Sequence, residues 1–246
     1  MVDYSKLLII SPTYNEIENI KYFIDSVVKL NLNLLVIDDN SPDGTAQIVK
    51  ESPMFNKTIF LIERPNKMGL GSAYREGFSW FMQSKYTHCI EMDVDFSHTF
   101  KDLQKIITYI PHSDIVIGSR YISGGGSLGW GRKRKTLSKY ANLIAKYILN
   151  SKINDLTSGF RSFNKKSLEE INFESITTNG YAFQIETAYT GENAKLKILE
   201  IPIIFEERRL GQSKMNIKIK IEGLHLLLKL FFKRKMLTII FKKKLL

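Results

Sequence analysis

Asp93 and Asp95 stand one residue apart, around Val94, directly after the apolar run that ends at Met92. In an extended segment, residues i and i+2 face the same way. Two carboxylates on one side of a strand end repel each other unless a cation lies beside them. Hard oxygen donors of this kind suit Mg2+ or Mn2+ rather than zinc. Asp95 is the expected direct metal ligand, and Asp93 a metal or ribose contact. His98 is either a further metal ligand or an ordinary residue of a helix start. The competing reading of Asp-x-Asp is an acidic turn that caps the next helix. A metal held here implies a phosphate-bearing ligand, and several phosphates in one site need cationic side chains as well. Arg120, Arg132, Arg208 and Lys214 are the candidates. Arg208 and Lys214 flank Gly211 in one stretch near the end of the chain, and each has plain surface solubility as its alternative.

Elements must bring these residues together. Leu7–Ile10, Asn33–Asp38, Thr58–Glu63, Thr87–Met92 and Asp114–Gly118 read as apolar strands. Helices are expected from Asn15, as N-cap, to Lys29, from Thr45 to Glu51, from Leu70 to Gln83 and from Phe100 to Ile110. Strands and helices alternating at crossover lengths imply a mostly parallel sheet covered on both faces. Every polar cluster follows a strand, and open sheets of this class bind ligands at the carboxyl ends of their strands. Beyond a glycine-rich stretch, Ser123–Gly131, a helix is expected up to Leu149. Ser158–Asn164 reads as a strand, Tyr181–Ala194 as a helix and Lys197–Phe205 as a last strand, at the sheet edge because of Pro202.

The chain has 246 residues, 43% of them hydrophobic, a length that suits one α/β domain with an appendage. The expected division is a catalytic domain over 1–212 and a tail over 213–246. The single cysteine, Cys89, excludes an internal disulfide and a cysteine zinc site. No secretory signal and no membrane-length apolar run is visible. Net charge is +11, and residues 208–246 hold 12 Lys/Arg against one acid, Glu222, so 12 − 1 accounts for all of it. Within that tail Ile217, Ile221, Leu224, Leu228 and Phe231 recur at helical spacing. Lys218, Glu222, His225, Lys229 and Lys233 form a separate polar stripe. A basic amphipathic helix lying on a membrane surface is expected, against the alternative of a helix packed on the domain. A nucleic-acid partner is not expected, because the basic charge lies beside apolar residues without aromatics spaced for base stacking.

Ser-Pro-Thr-Tyr-Asn-Glu at 11–16, Asp-Asn-Ser-Pro-Asp-Gly-Thr at 39–45 and Asp-Val-Asp-Phe-Ser-His at 93–98 resemble family 2 glycosyltransferases of the GT-A fold. Ile-Gly-Ser-Arg-Tyr at 117–121, Thr-Ser-Gly-Phe-Arg at 157–161, Gly-Tyr-Ala-Phe-Gln-Ile-Glu at 180–186 and Glu-Arg-Arg-Leu-Gly-Gln-Ser-Lys-Met at 207–215 narrow the resemblance to the polyprenol phosphate mannose synthases. The resemblance implies a GT-A, Rossmann-like sheet. It implies that Pro12, Tyr14, Glu16, Ile37 and Asp39 hold the nucleoside, with Asp43 left to its turn. Asp93, Val94 and Asp95 match the family's Asp-x-Asp, although a β-branched Val94 in its middle stands to crowd the site. The implied activity is inverting transfer of a hexose, mannose from GDP-mannose above others, to polyprenyl phosphate at the cytoplasmic face of a membrane. A UDP-sugar donor, a membrane-protein partner and a silent scaffolding homologue stay open.

Overall fold

The computed structural model describes residues 2–207 and 225–231. Leu7–Thr13 (β1), Asn33–Asp38 (β2), Ile59–Glu63 (β3) and His88–Glu91 (β4) are followed by Ile115–Ser119 (β5), Gly126–Leu128 (β6), Arg161–Asn164 (β7), Ile198–Pro202 (β8) and Ile204–Glu206 (β9). The helices are Ile17–Lys29 (α1), Thr45–Lys50 (α2), Leu70–Gln83 (α3), Phe100–Tyr109 (α4), Arg132–Leu149 (α5), Lys165–Ile171 (α6) and Gly180–Asn193 (α7). A seven-stranded sheet runs β3-β2-β1-β4-β7-β5-β8, and β6 pairs with β9 in a separate ribbon. All pairings are parallel except those of β7, which lies antiparallel between β4 and β5. The expected mostly parallel sheet is therefore present.

The sheet is covered on both faces because its central strands carry consecutive apolar residues, Leu7–Ile10 in β1 and Leu34–Ile37 in β2. Leu8, Ile10, Leu35 and Ile37 enter one core, while Leu7, Ile9, Leu34 and Val36 enter the other. The first core takes α3, α6 and α7, and the second takes α1 and α4. Close approach is needed in places: a Cβ on Gly77 of α3 would lie 2.6 Å from Ile10 Cγ2. Pro12 sits in β1 without breaking the ladder. The Ile10 carbonyl accepts from Met92 N–H and the Thr13 carbonyl from Asp39 N–H, so odd residues of β1 face β2 and even ones face β4. At Pro12 the β4 strand has already ended, and the missing donor costs nothing.

Three expectations change. Asn15 is not the N-cap of α1: it adopts φ +56°, and Glu16 precedes the helix. The cap comes from across the loop, where Asp43 Oδ2 accepts from Ile17 N–H at 3.0 Å. The single strand foreseen over Lys197–Phe205 is two, split at Ile203. Its first part, β8, does lie at the sheet edge with Pro202. The glycine-rich stretch contains β6, which pairs Gly126–Leu128 with β9.

Residues 225–231 are helical, and Leu226, Leu227 and Leu230 are buried in the first core with Ala145 and Leu149. Leu228 is exposed. This portion of the tail is therefore packed on the domain by one face, the alternative to a free surface helix. The remainder of the foreseen amphipathic helix, with Arg208 and Lys214, lies outside the described residues. Among the described residues no helix is long and apolar enough to cross a membrane.

Candidate active site

The loops after β1, β2, β3, β4 and β5 all open at the carboxyl end of the sheet. The loop after β4 carries Asp93 and Asp95. Asp95 is buried, and its Oδ1 accepts from Ser97 N–H at 3.0 Å, a turn that fixes the carboxylate. Phe96 takes φ +61° to make this turn. The Ser97 hydroxyl is buried and finds no protein partner among the described residues. Two carboxylates and a buried hydroxyl without a partner, on one loop, are hard oxygen donors of the kind Mg2+ or Mn2+ takes.

His98 is placed differently from the metal ligand considered for it. Its Nδ1 accepts from Asp93 N–H at 3.1 Å. In the neutral ring the proton then sits on Nε2, which becomes a donor and cannot ligate a cation. The ring is held by stacking on Phe160, centroids 4.6 Å apart, and edge-on by Phe205 at 5.4 Å. Among the described residues no group of three His, Cys, Asp or Glu side chains forms a metal cage.

On the β1–β2 side, Tyr14 is half-buried with Lys67 Nζ 4.1 Å above its ring centre. Glu16 Oε2 accepts from Asn19 Nδ2 at 2.9 Å. Asp38 is consumed by Thr13 Oγ1, Ser41 N–H and Ser41 Oγ. Asp39 is buried and paired with Arg64, whose guanidinium also donates to Ser72 Oγ at 2.8 Å and to the Gly69 carbonyl at 3.2 Å. Asp43 stays with its turn. Burial raises its pKa, but hydrogen bonds from Thr45 and Ile17 hold it below the usual carboxylate value.

Two residues of the expected set present no side chain to a ligand. Ile37 is fully buried in the first core, beside the position a Gly77 Cβ would take, so it cannot lie against a base. Val94 is 2% exposed and belongs to the second core. The crowding expected from its β-branch therefore falls on the core, not on the metal loop.

Arg120, at the end of β5, is 8% exposed and already engaged. Its Nε and Nη2 each meet an Asp155 carboxylate oxygen at 2.8 Å, and Nη2 also reaches Thr157 Oγ1 at 2.7 Å. Burial pushes the Asp155 carboxyl up, but the Arg120 guanidinium outweighs it and keeps the pKa below the ordinary value. The fork geometry fixes Arg120 in one orientation. Its carbon Cζ lies 5.7 Å from the Phe205 ring centre and 5.9 Å from that of Trp130. Phe205 and Trp130 are themselves in edge contact at 5.3 Å. A chain of rings thus runs from His98 through Phe205 to Trp130 and links the Asp95 loop to Arg120. Arg132, the first residue of α5, is exposed. Its neighbour Arg134 lies 4.1 Å over Trp130 and pairs with Glu207 at 3.2 Å.

Strand β9 closes this side. Glu206 N–H donates to the Ser97 carbonyl at 3.1 Å, and Glu207 N–H to the Leu128 carbonyl at 3.0 Å. Gly129, at φ +82°, lets the chain pass: a Cβ there would be 2.7 Å from Glu207 Cβ. The segment leading to Arg208 therefore starts against the Asp95 loop.

Beneath the Asp93 loop, Glu91 and Arg161 face each other across β4 and β7 and are both fully buried. Burial pushes the Glu91 carboxyl up to about 8, with Arg161 pulling the other way. The sequence reading did not single out Arg64, Asp155, Trp130, Phe205, Ser97 or Glu91. Of these, only Trp130 and Asp155 carried a signal. Trp130 is the one large side chain in a glycine run, and Asp155 is an acid two residues before the Thr157–Arg161 motif.

Comparison with known proteins bears on the family and the fold. The model of the family described as glycosyl transferase family 2 matches residues 8–172. The polyprenol monophosphomannose synthase of Mycolicibacterium smegmatis is 37% identical over 215 residues, 86% of this chain and 81% of that protein. The undecaprenyl-phosphate mannosyltransferase of Micrococcus luteus is 35% identical, over 86% of this chain and 88% of that protein. In fold, a glucosyl-3-phosphoglycerate synthase from Mycobacterium tuberculosis, solved with Mn2+ and UDP-glucose, superposes with a TM-score of 0.64 at 14% identity, covering 92% of this chain and 79% of that one. A Pyrobaculum calidifontis mannosyltransferase solved with GDP-Man and Mn2+ gives a TM-score of 0.57 at 16% identity, over 96% and 66% of the two chains.

Proposed function

The chain belongs to glycosyl transferase family 2, and from that premise we propose that it moves mannose from GDP-mannose to a polyprenyl phosphate, with inversion at the sugar carbon. The observation that carries the reading is the meeting of the Asp93–His98 loop, Arg120 and the foot of β9 at one end of the sheet. The two relatives named for polyprenol and undecaprenyl phosphate mannose transfer support the choice of acceptor and sugar.

The chemistry needs little from the protein as a base. A phosphate monoester has a second pKa of about 6 and is largely ionised near neutrality. One of its oxygens forms the bond to C1 of the mannose as the bond from C1 to the diphosphate oxygen breaks, and the nucleoside diphosphate leaves with the electron pair. A single displacement gives the β-linked lipid phosphate sugar from an α-linked donor. Asp95, with Asp93, would hold a Mg2+ or Mn2+ ion, which supplies positive charge to the leaving diphosphate. Arg120, locked by Asp155, stands ready as a fixed cation on the same side. Tyr14, Glu16, Asp39 and the backbone beside Pro12 form the nucleoside side. Arg132, Arg208 and Lys214 would receive the lipid phosphate. Such an enzyme works on the cytoplasmic face of a membrane, where the lipid phosphate is presented.

The test is incubation with labelled GDP- and UDP-sugars, Mg2+ or Mn2+, and undecaprenyl phosphate. Label should enter the lipid from GDP-mannose, as a β-anomer by NMR. Transfer from a UDP-sugar instead would move the assignment to that donor. No transfer to lipid from any donor would overturn the proposal.

A further inference from the structure

Helix α5 carries an apolar stripe on its outer side. Asn142, Ala145 and Leu149 are the buried residues that attach the helix to the domain. On the opposite side Leu137, Tyr140, Ile144 and Tyr147 recur at helical spacing and are 62%, 61%, 54% and 87% exposed. Leu143, 45% exposed, widens the stripe. Scattered exposed apolar residues need no explanation, but a contiguous row of five on one helix does.

The charges on the same helix say what covers this row. Residues 132–149 contain six Lys/Arg, at 132, 133, 134, 135, 139 and 146, and no Asp or Glu. Four of them fill the first turn, where the positive end of the helix dipole disfavours cations. Helix stability does not explain that placement. Arg132, Lys133, Lys135 and Lys139 are exposed. An apolar stripe that includes two tyrosines, with exposed lysines and arginines flanking it, is complementary to the headgroup region of an anionic bilayer. A second copy of this chain would bring another positive helix against the first.

We propose that the outer face of α5 seats the protein on an anionic membrane. The stripe runs down the helix from Arg132, whose neighbour Arg134 touches Trp130 and Glu207. A bilayer lying along the stripe therefore passes beside the mouth between Trp130 and β9. Across a groove of about 770 Å3 lined by Leu143, Tyr147 and Phe231, the helix at 225–231 continues the same surface with exposed Leu228. This face is a docking surface made by described residues of the folded domain itself. It deepens the proposed use of a lipid acceptor, and its test does not depend on that reading. The vesicles contain neither sugar nucleotide nor polyprenyl phosphate, so transferase chemistry plays no part in the result.

The full chain is labelled with an environment-sensitive dye at Ile144→Cys, where the only other thiol, Cys89, is buried. Vesicles of equal parts phosphatidylcholine and phosphatidylglycerol are then added. The dye should shift to the blue, and less so with phosphatidylcholine alone. Leu137→Glu with Tyr147→Glu in the unlabelled chain should weaken partitioning into the mixed vesicles by about tenfold or more, since two apolar anchors are lost. Tyr22→Glu, on α1 and 67% exposed, serves as the control and should change nothing. A dye that does not respond to vesicles overturns the proposal, whether or not the chain binds them through its tail. A blue shift without lipid that grows with protein concentration, together with a dimer in sedimentation, assigns the face to a second copy and also overturns it.

Discussion

Replacing Arg64 by Met while Asp39 is kept, and then replacing both, separates two jobs that Asp39 could have. In the folded chain the Arg64 and Asp39 side chains are only 1% and 8% exposed. Arg64→Met strands a buried carboxylate and removes donors from Ser72 Oγ and the Gly69 carbonyl. Breaking a buried pair by removing one partner costs about 3–5 kcal/mol. For a domain of this size each kcal/mol shifts Tm by about 2–4 °C. The single variant should therefore melt roughly 6–20 °C lower. An apolar pair in the same volume is often neutral or better than the ion pair, so Asp39→Leu/Arg64→Met should recover most of the loss. Nucleotide binding should not recover with it. If Asp39 accepts a hydrogen bond from the nucleoside, the double variant loses a charged contact worth about 1.5–3 kcal/mol, which weakens GDP binding roughly tenfold to a hundredfold. Scanning calorimetry reads the first quantity, and titration calorimetry with GDP and Mg2+ the second. A double variant that is stable and binds GDP like the wild type would refute a ligand role for Asp39 and leave it as the partner of Arg64.

Asp95→Asn should lower turnover by more than tenfold with an unchanged Tm, and excess EDTA should silence the wild type. Full activity in EDTA would rule out a catalytic metal. The Asp155 carboxyl has a folded pKa below its ordinary value, so its contribution to stability is present above the unfolded value, near 3.8, and is lost as pH falls through the folded one. Asp155→Asn should thus destabilise the chain strongly at pH 7 and much less at the acid end of its folded range. A Tm difference from wild type that does not shrink on acidification would contradict this. Truncation after Asn216 removes Leu226, Leu227 and Leu230 from the core. Since a buried leucine contributes about 1.5–3 kcal/mol, a large fall in Tm is expected, and an unchanged melting curve would place that helix outside the fold. Arg208→Ala and Lys214→Ala should raise KM for the lipid phosphate more than they weaken GDP binding. Equal losses would assign both residues to the donor's diphosphate.

What could be read from the sequence was local. Leu34–Ile37 and Ile115–Ile117 are short consecutive apolar runs bounded by turn-type residues, the pattern of a strand buried on both faces, so the parallel core was legible. The direction of β7 was not, because periodicity carries no sign: Arg161–Asn164 has the same pattern whether it runs with β4 or against it. Pairs distant in the chain were also invisible. Arg64 meets Asp39 across 25 residues and Arg120 meets Asp155 across 35. Asn15 has the residue type of an N-cap, yet Asp43 reaches over from another loop and takes that work. Val94 stands inside a motif, and Ile37 just before one, whose neighbours face the ligand side. Their own side chains alternate into the core, and a motif read as letters does not show that alternation.

The bond from Glu206 N–H to the Ser97 carbonyl has a thermodynamic consequence. It joins the loop that would hold the metal to the strand from which the chain continues to Arg208. Where a donor on the Ser97 loop and an acceptor beyond β9 both strain or tighten this bond, linkage makes the effect reciprocal: whatever factor the metal–nucleotide complex gives to acceptor affinity, the acceptor returns to nucleotide affinity. Donor and acceptor would then bind with positive cooperativity rather than independently. The protein would spend less time holding a sugar nucleotide with no lipid in place, the condition in which water competes for the sugar.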